Sequence, residues 1–461
     1  MRFRPKSPHP GHLLLLALVL RLCLFPVATY WYDMNAFRSW AHFFSQHPLA
    51  DFYSADSLGT APDHLPGDLL IYAGLGRLLG DTILDTTVFP FAIKTIGATT
   101  DVSIGLLLWI GARKVAPLRA RTVMLCWLFN PAVIFISAIW GQLDALSLLF
   151  ALAGIVAVLY GRYLLCWTPL AWACLIKPQL AAILPIVLLV ILYKEISSVA
   201  SSQSRNPPTS PGMMVNFRAG IKQFWTSRVP KAILFGWIVA LAVVSLICLP
   251  FGVGLVSGLG LEWTLLERVQ FAMDRHNNMV VGGHTLWSLI LGVDAINPDD
   301  RIAFAGLTVK NVANILTMTA LVGTYGLCLM RRSWQFALAW GCAAATMTMY
   351  VLPTRIHERY FLPALLFLIL FSAIDRDRRR ARVLVTTGTF TFLCSLLVAY
   401  TASYPVWGMR IPESSLTLRL LSLGYVSIYA VVIFTGATSP ARTTVASRAP
   451  VAQREKVSAI R

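Results

Sequence analysis

The sequence predicts an all-α, polytopic membrane protein with about twelve transmembrane helices. Hydrophobic residues make up 57% of the 461 residues, charged residues only 13%, and the mean hydropathy is +0.66. A soluble domain has about 25% charged residues, so this composition argues against a soluble globule. A spanning helix takes roughly 20 residues. The apolar stretches are long and continuous, which argues against an alternating outer-membrane barrel.

Twelve apolar stretches are the predicted spans. They lie at 12–30, 86–112, 122–139, 143–160, 163–176, 178–193, 232–250, 311–330, 333–352, 361–374, 383–402 and 416–436. Basic residues precede the first stretch, as in a signal peptide, but Arg21 interrupts it and no small-x-small cleavage site follows. We therefore expect an uncleaved first span. The stretches 163–176 and 361–374 are short, so they are expected to be tilted or partly re-entrant.

The basic residues are divided unequally between the two sides of this arrangement. Twelve spans place both termini on one side, together with 26 of the 39 Lys and Arg residues, whereas the opposite loops hold nine. The positive-inside rule therefore predicts that the side with the termini is cytoplasmic. This division also explains the net charge of +18, so no nucleic-acid partner is expected.

One membrane domain is predicted over 1–436, followed by a disordered, basic cytoplasmic tail at 437–461. Two large outer loops are predicted at 31–85 and 251–310, and a Ser- and Pro-rich cytoplasmic loop at 196–229. The cytoplasmic loop and the tail are too polar to bury a core, so both are predicted to be poorly ordered.

Each outer loop contains one amphipathic stretch. The first is Asp68–Leu79. The second is Leu261–Met273, in which Leu261, Leu265 and Val269 fall on one helical face. Such stretches are typical of helices that lie in the membrane interface. The outer loops are therefore predicted to carry interfacial helices.

Asp33 begins the first group of residues that can carry chemistry. It lies where the first predicted span ends on the outer side, and Arg38 and Trp40 follow it by five and seven residues. In a helix, Asp33 shares one face with Phe37 and Trp40. The spacing alone leaves two interpretations equally open. One is the start of an interfacial helix with belt aromatics, and the other is a functional site.

Two hairpin segments carry further polar residues. Trp140-Gly141-Gln142-Leu143-Asp144 joins two predicted spans, and a hairpin rarely needs Trp, Gln and Asp together. Asp144 could also simply cap the next helix. Pro62-Asp63-His64-Leu65-Pro66-Gly67 precedes the first interfacial stretch and is a second candidate, for which the alternative interpretation is an ordinary turn.

A single lysine lies between two apolar stretches near the outer boundary. Snorkelling is the commoner fate of such a lysine, but Pro178 directly follows Lys177. The proline indicates a fixed helix break, which favours a site. A weaker polar and aromatic patch contains His284 and Trp287, and it is compatible with sugar contacts.

The segment Thr354–Pro363 concentrates charge at another outer boundary. Arg355 and Arg359 are four residues apart and could face one anion from a helix, beside His357 and Glu358. Buried charge is costly in a membrane unless it is paired or functional. The alternative interpretation is an interfacial ionic network that closes a short hairpin.

No metal or cofactor site is predicted. The eight Cys lie in apolar stretches without a Cys-x-x-Cys pair, which is typical of small core residues. His357-Glu358 lacks the second His of a zinc motif. The one Asp-x-Asp, Asp375-Arg376-Asp377, lies in a cytoplasmic run of arginines, where a solvated charge cluster is the simpler interpretation.

Together these residues resemble the GT-C superfamily of integral-membrane glycosyltransferases. The segment 32–40, Tyr-Asp-x-x-Ala-x-Arg-x-Trp, is similar to the first-loop motif of the dolichyl-phosphate-glucose glucosyltransferases. The segments 140–144, 177–179 and 357–363 resemble bacterial proteins related to the second mannosyltransferase of GPI-anchor assembly. The resemblance covers roughly residues 10–400, with the motifs in the expected order.

Two segments depart from the family pattern. Asp63-His64-Leu65-Pro66 stands where the family usually has Tyr-Pro-Pro, and His284-Thr285-Leu286-Trp287 approximates the usual Asn before Leu-Trp. These departures concern the sugar and the acceptor more than the class of reaction.

The resemblance implies that a hexose, mannose or glucose, moves from a polyprenyl-phosphate donor to an acceptor hydroxyl with inversion. It implies Asp33 as general base and His357 near the donor phosphate. The departing phosphate needs cations, for which Lys177, Arg355 and Arg359 are further candidates. Weaker candidates for substrate binding are Arg38, Trp40, Gln142, Asp144, Glu358, His284 and Trp287.

The acceptor implied by the resemblance is a glycan, lipid or protein, and neither a cofactor nor a metal is expected. The protein is expected in the plasma membrane, which in a bacterium is the inner membrane, with the active site outside. A lipid-linked-sugar flippase or transporter would also line a path with polar boundary residues. Against it, the polar motifs gather on the outer side and no inverted repeat is found. An oligosaccharide polymerase or ligase, which also uses lipid-linked donors, is a third reading.

Overall fold

The computed structural model describes residues 9–55, 62–203, 224–257, 261–275, 277–331, 333–403 and 414–438. Over these residues the protein is about 80% helical with almost no sheet, which confirms the predicted all-α class. In chain order the α-helices are α1 (Pro10–Leu24), α2 (Trp31–Gln46), α3 (Pro66–Leu79), α4 (Asp81–Leu84), α5 (Val88–Val115), α6 (Ala120–Leu128), α7 (Pro131–Ile134), α8 (Asp144–Leu159), α9 (Tyr163–Ile176), α10 (Leu184–Gln203), α11 (Val229–Cys248), α12 (Leu265–Asp274), α13 (Leu286–Leu291), α14 (Val309–Leu329), α15 (Trp334–Val351), α16 (Leu362–Ile374), α17 (Arg378–Ser403) and α18 (Ser415–Thr438). The short strands are β1 (Val253–Gly254), β2 (Trp263–Thr264), β3 (Val280–Val281), β4 (Ile302–Phe304), β5 (Leu307–Thr308) and β6 (Ile356–His357).

Several helices are long and apolar enough to cross a membrane, so the protein is membrane-embedded. Within the described ranges there are six: Val88–Val115, Pro178–Ile196, Val229–Phe251, Val309–Leu329, Arg378–Ala402 and Ser415–Thr438. The pair Pro117–Leu128 and Pro131–Trp140, bent by 43°, forms a seventh if it is one broken span. The predicted number of twelve is therefore not confirmed. The apolar helices α1, α8 and α9 have only 14 to 16 residues.

Polar motifs account for several of these interruptions. The Asn130 side chain accepts hydrogen bonds from the backbone N–H groups of Ala132 and Val133, which starts a new helix at Pro131. At the end of α9, Lys177 leaves the helical conformation and Pro178 starts a 3₁₀ turn. Proline favours a first helical position because it lacks an N–H to donate. A new helix therefore starts after Asn130, inside the predicted span 122–139, and another starts after Lys177, between two predicted spans.

The loops predicted to lie outside pack together at one end of the helices, which we call the loop end. The Ser54 hydroxyl donates a hydrogen bond to Glu262, and Arg275 forms an ion pair with Asp63. These contacts join loop 31–85 to loop 251–310. A parallel pairing of β3 with β6 adds the segment before α16. Residues 404–413 of the last predicted outer loop lie outside the described residues.

Two further contacts lie at the opposite end. The Arg119 guanidinium donates to the backbone oxygens of Ser372 and Ala373 at 3.0 and 3.2 Å. The Lys194 amine donates to the Tyr163 hydroxyl at 2.7 Å. All these residues lie in segments predicted on the cytoplasmic side or at the cytoplasmic ends of the predicted spans 163–176 and 361–374. The predicted disorder of the cytoplasmic loop and the tail concerns mainly residues 204–223 and 439–461, which lie outside the described residues.

Both stretches predicted as interfacial helices are helical. The first, α3, begins at Pro66 and packs against α2 so closely that a Cβ on Gly76 would lie 2.1 Å from the Ala41 oxygen. The second, α12, begins later than predicted because Thr264 and Glu267 form a capping box that fixes its start.

Arg21, which interrupts the first predicted span, is fully buried against α5. Its Nε lies 3.1 Å from Asp101 Oδ2, and one Nη donates to the backbone oxygens of Ala17 and Leu128. On the same helix, Lys94 donates to the backbone oxygens of Phe25 and Val27, at 2.9 and 2.6 Å. Buried charges must be paired and hydrogen-bonded, so these contacts attach α1 and the following turn to α5.

Candidate functional site

Asp33 lies in the first turn of α2, on the buried face predicted from the sequence. It shares that face with Phe37 and Trp40, which are each 2% exposed. Its Oδ2 accepts a hydrogen bond from the indole Nε1 of Trp140 at 2.8 Å and another from the Gln142 side-chain amide. The carboxylate therefore points into the protein toward the Trp140–Asp144 segment, rather than serving only as a helix start.

The Trp140–Asp144 segment gains its shape from an unusual helix end. Residues Phe135–Trp140 form a π-helical turn, and Gly141 ends it with a left-handed φ of 87°. A Cβ at Gly141 would also lie 2.8 Å from Met34 Cε. Turns of π-helix are frequent at functional sites. This one aims Trp140 and Gln142 at Asp33.

Lys177 is 9% exposed, so it does not snorkel to water. Its Nζ lies 2.8 Å from Asp144 Oδ1 and 4.9 Å from the centre of the Tyr360 ring. The helix break at Pro178 holds the lysine at the end of α9, where it meets the first residue of α8.

Arg359 links the preceding groups. Its Nη1 lies 3.4 Å from Asp33 Oδ2 and 3.7 Å from Glu358 Oε1, and its Nε lies 3.5 Å from Asp144 Oδ2. We call Asp33, Asp144, Lys177, Glu358 and Arg359 the ionic cluster. It brings four separate parts of the sequence together at the loop end, with three carboxyl groups around two cations.

Glu358 is the carboxyl group of the cluster whose proton affinity changes most clearly. Burial raises the pKa of Glu358 to about 7, although Arg359 opposes the shift. When Glu358 is protonated, two carboxylates face two cations. Near neutral pH the charge of the cluster therefore depends on this one proton.

Arg355 does not join the cluster, and the segment around it is not the helix considered from the sequence. It has a left-handed φ of 65° and precedes β6. Its Nε and one Nη lie 2.8 and 3.0 Å from the two oxygens of Asp299, and the other Nη lies 2.5 Å from Asp274. Thr354 donates to Asp299, and Lys310 pairs with Asp274. We call these five residues the Arg355 clamp.

The two candidate histidines lie in different surroundings. His357 belongs to β6, and its ring centre lies 5.2 Å from that of Tyr360, the residue that also contacts Lys177. His284 is 1% exposed, and burial lowers the pKa of its ring to about 4. Its nitrogens have no hydrogen-bond partner among the described residues. Trp287 donates to the Leu352 oxygen at 2.8 Å, which is a packing role.

Arg38 and Trp40 also lie away from the ionic contacts. The Arg38 guanidinium is 6.0 Å from the Phe89 ring centre. Trp40 packs against Phe52 and against His64, whose ring centre is 4.6 Å away. Trp40 therefore belongs to the aromatic core between α2 and the rest of the first outer loop.

His64 and Asp68 form a contact that the sequence analysis did not recognise. His64 Nδ1 lies 2.6 Å from Asp68 Oδ2, across the start of α3. The prolines and the glycine of this segment favour a turn on sequence grounds. A His and an Asp four residues apart at a helix start were the available signal, since such residues are neighbours on a helix.

The cytoplasmic Asp-x-Asp is used locally. Asp375 pairs with Arg380 at 2.6 Å, and Asp377 accepts from the backbone N–H groups of Arg379 and Arg380 at the start of α17. Over the described residues, no group of three or more His, Cys, Asp and Glu side chains could hold a metal ion. No protein-family model matches the chain, and no curated protein matches it either.

Proposed function

We propose that the protein transfers a hexose, mannose or glucose, from a polyprenyl-phosphate donor to an acceptor hydroxyl at the loop end. The observation that carries this proposal is the ionic cluster. Four polar segments, distant in the sequence, supply a carboxylate and two cations to one buried place beside the outer loops. Glycosyl transfer from a lipid phosphate needs these two kinds of group.

Asp33 is the proposed general base. Its Oδ2 is occupied by Trp140 and Gln142, which fixes the direction of the carboxylate and leaves Oδ1 to take the proton of the acceptor hydroxyl. The acceptor oxygen then bonds to the anomeric carbon as the bond from that carbon to the phosphate oxygen breaks. The electron pair stays on the phosphate, and the configuration inverts.

Lys177 and Arg359 are the proposed partners of the phosphate. No contact of Arg359 with a carboxylate is shorter than 3.4 Å within the described chain, whereas a charge-assisted hydrogen bond is about 2.7–2.9 Å long. Its guanidinium therefore retains the capacity to bind an anion. We assign His357 to the same side through its neighbour Tyr360. Arg355 has its donors engaged by the clamp and is proposed to support the segment instead.

The test is a transfer assay with the purified protein. Synthetic polyprenyl-phosphate mannose and polyprenyl-phosphate glucose are supplied with octyl α-mannoside, octyl β-glucoside or extracted membrane lipids as acceptors. We expect a new glycoside from one of the donors and release of polyprenyl phosphate. Neither product from any combination would contradict the proposal.

A transporter is the second candidate, and the pKa of Glu358 near 7 favours it, because proton-coupled carriers use buried groups that titrate near neutrality. Proteoliposomes loaded on one side with the same lipid-linked sugars separate the two functions. Movement to the other leaflet without a new glycosidic bond indicates a transporter. Products that grow by repeated units indicate a polymerase.

The loop end is proposed to face outward, with the termini in the cytoplasm of a cell whose plasma membrane holds the protein. Leu78 at the loop end is 80% exposed and Leu118 at the opposite end is 97% exposed, so they form a matched pair. In intact cells, a membrane-impermeant thiol reagent should label Leu78→Cys and not Leu118→Cys, with the unmutated chain as background. The reverse pattern would place the cluster on the cytoplasmic side.

A further inference from the structure

His64 and Asp68 form a hydrogen-bonded pair at the edge of the site. The Asp68 side chain is 5% exposed and the His64 side chain is 21% exposed, so the imidazole is the more accessible member of the pair. Among the described residues, the structure gives a hydrogen bond to Nδ1 of the ring and none to Nε2. An imidazole held by a carboxylate at one nitrogen can exchange protons at the other.

Unpartnered polar atoms continue from this pair into the protein. Asp68 Oδ1 and Tyr72 Oη are buried and have no hydrogen-bond partner in the described ranges. In the ionic cluster, Asp144 Oδ2 and Arg359 Nε face each other at 3.5 Å, beyond ordinary hydrogen-bond length. Tyr72 is 0% exposed. Buried polar groups are nearly always hydrogen-bonded, so the two atoms outside the cluster, Asp68 Oδ1 and Tyr72 Oη, need polar partners.

Packing brings the pair and the cluster together. A Cβ on Gly67 would lie 2.7 Å from the backbone carbonyl of Leu175, two residues before Lys177. Trp172 Nε1 donates to the Gly67 oxygen at 3.2 Å. The start of α3 therefore lies directly on the end of α9, where Lys177 leaves toward Asp144.

The aromatic face of α2 closes the other side. The Tyr72 ring stacks on Phe37 with centres 4.8 Å apart, one helical turn from Asp33, and the His64 ring lies 4.6 Å from Trp40. Tyr72 thus lies between the histidine and the face that carries the proposed base.

Four charged groups act on His64: Asp68 and Asp63 from its own segment, Lys177 from the end of α9 and Asp144 from the start of α8. Burial alone lowers the pKa of His64, but the hydrogen-bonded carboxylate of Asp68 outweighs it, and the pKa lies above its ordinary value. The Asp68 carboxylate therefore stabilises the protonated ring.

We propose that His64, Asp68 and Tyr72 form a path by which the proton released in each transfer leaves the ionic cluster for the outer surface. This inference rests on the proposed transferase function. The proton of the acceptor hydroxyl passes to Asp33 and then, through water and the Tyr72 hydroxyl, to Asp68. Asp68 gives a proton to Nδ1 of His64 as Nε2 of the ring releases one to water. The path returns Asp33 to its carboxylate form for the next turnover.

The test compares His64→Ala with His42→Ala in the transfer assay, using the donor and octyl glycoside that the wild type accepts. His42 is a matched control, because it also contacts two aspartates of the outer loop, Asp81 at 3.1 Å and Asp85 at 3.0 Å, outside the path. We expect His64→Ala to lower kcat about tenfold with an unchanged KM for the donor. Imidazole buffer should restore most of the rate, and His42→Ala should match the wild type.

The pH profile supplies a readout that a structural role would not move. The wild-type rate should fall as pH falls through the pKa of His64, because a protonated ring accepts no proton. His64→Ala should lack that limb, and Tyr72→Phe should lower kcat in the same way. An active wild type with an equally active His64→Ala, or a loss that imidazole does not restore, would overturn the path alone. A wild type that transfers no sugar would remove both proposals.

Discussion

Arg355 and Arg359 are four residues apart, yet their surroundings differ in the quality of the contacts. Arg355 places two nitrogens at 2.8 and 3.0 Å from one buried carboxylate and a third at 2.5 Å from another. Arg359 is surrounded by three carboxyl groups but approaches none closer than 3.4 Å within the described residues. Arg355 therefore uses its donors in short hydrogen bonds. Arg359 is held by the charge of its neighbours and makes no short hydrogen bond to them.

This difference shows how to separate a structural ion pair from a site in this molecule. A guanidinium that makes short hydrogen bonds to buried carboxylates uses its donors to stabilise the fold. A guanidinium shared among several carboxylates at longer distances can exchange one of them for an anion. The Arg355 clamp fastens the strand before Glu358 to the outer loop, and the ionic cluster lies at the end of that strand.

The largest effect is expected at the carboxylate that faces Arg359 and the proposed acceptor. Asp33→Asn keeps the shape and can still accept from Trp140, but it removes the proposed base. We expect transfer to fall by roughly 10²–10⁴-fold with folding and donor binding retained. Steady-state rates, with donor binding measured separately, check this. Activity within a few-fold of the wild type would remove Asp33 from the role of base.

The second effect concerns the cations of the cluster. Each charge-assisted contact to the phosphate is worth roughly 1.5–3 kcal/mol, or about 10–150-fold. Lys177→Ala and Arg359→Ala should each weaken donor use at least tenfold, in rate or in KM. Arg359→Lys, which keeps the charge and loses the fork geometry, should fall between Arg359→Ala and the wild type. A normal KM and kcat in both alanine variants would mean that the donor phosphate does not bind to Lys177 and Arg359.

Substitutions in the Arg355 clamp should lower the stability of the protein and leave its use of the sugar donor unchanged. Arg355→Ala leaves Asp299 buried, with a 1% exposed side chain and without its bidentate partner, and we expect a loss of about 3–5 kcal/mol. Arg355→Ala combined with Asp299→Ala should recover part of this loss, because no charge is then left unpaired. Thermal unfolding in detergent measures both. If Arg355→Ala is stable but has a tenfold higher KM for the donor, Arg355 binds the donor phosphate, as its spacing from Arg359 in the sequence indicates.

The sequence predicted much of this site because its polar residues interrupt apolar stretches. Asp33, Asp144, Lys177 and Arg359 are each a charge at a predicted span boundary, and the structure brings all four together. Their partners depend on contacts between distant segments. Nothing in the spacing of Arg355 and Arg359 reveals that a left-handed φ of 65° at Arg355 turns one away from the other.

The same limitation explains the spans and the histidine pair. Hydropathy predicts apolar stretches but neither the length of each helix nor the restart after Asn130. Because α1, α8 and α9 have only 14 to 16 residues, six helices of spanning length, or seven with the bent pair, lie in the described parts of the chain. His64 lies in a segment rich in turn-forming residues, and only its packing against Trp40 and the end of α9 places it beside the cluster.

A smaller effect follows from Glu358, whose pKa burial raises from 4.5 to about 7. The folded protein holds this proton more tightly than the unfolded chain, so stability falls as pH rises from about 4.5 to about 7. The difference amounts to roughly 3 kcal/mol. Glu358→Gln should unfold at a higher temperature than the wild type at pH 8 and at a similar temperature at pH 4.5. Equal midpoints at both values would mean that Glu358 is ionised as in water.

The smallest effect is expected at the opposite end, from Asp375 and Asp377. Their carboxylates already pair with Arg380 and cap α17. Removing both should lower stability, by about 1 kcal/mol for the lost cap and by a further amount for the buried Asp375–Arg380 pair, and leave transfer unchanged. EDTA should likewise leave transfer intact, because the proposed phosphate partners are side-chain cations. Activity that vanishes with EDTA and returns with Mg²⁺ or Mn²⁺ would contradict this assignment. In that case the carboxylates of the ionic cluster would be metal ligands. The long contacts of Arg359 would then mean that the metal, and not this arginine, is the main partner of those carboxylates.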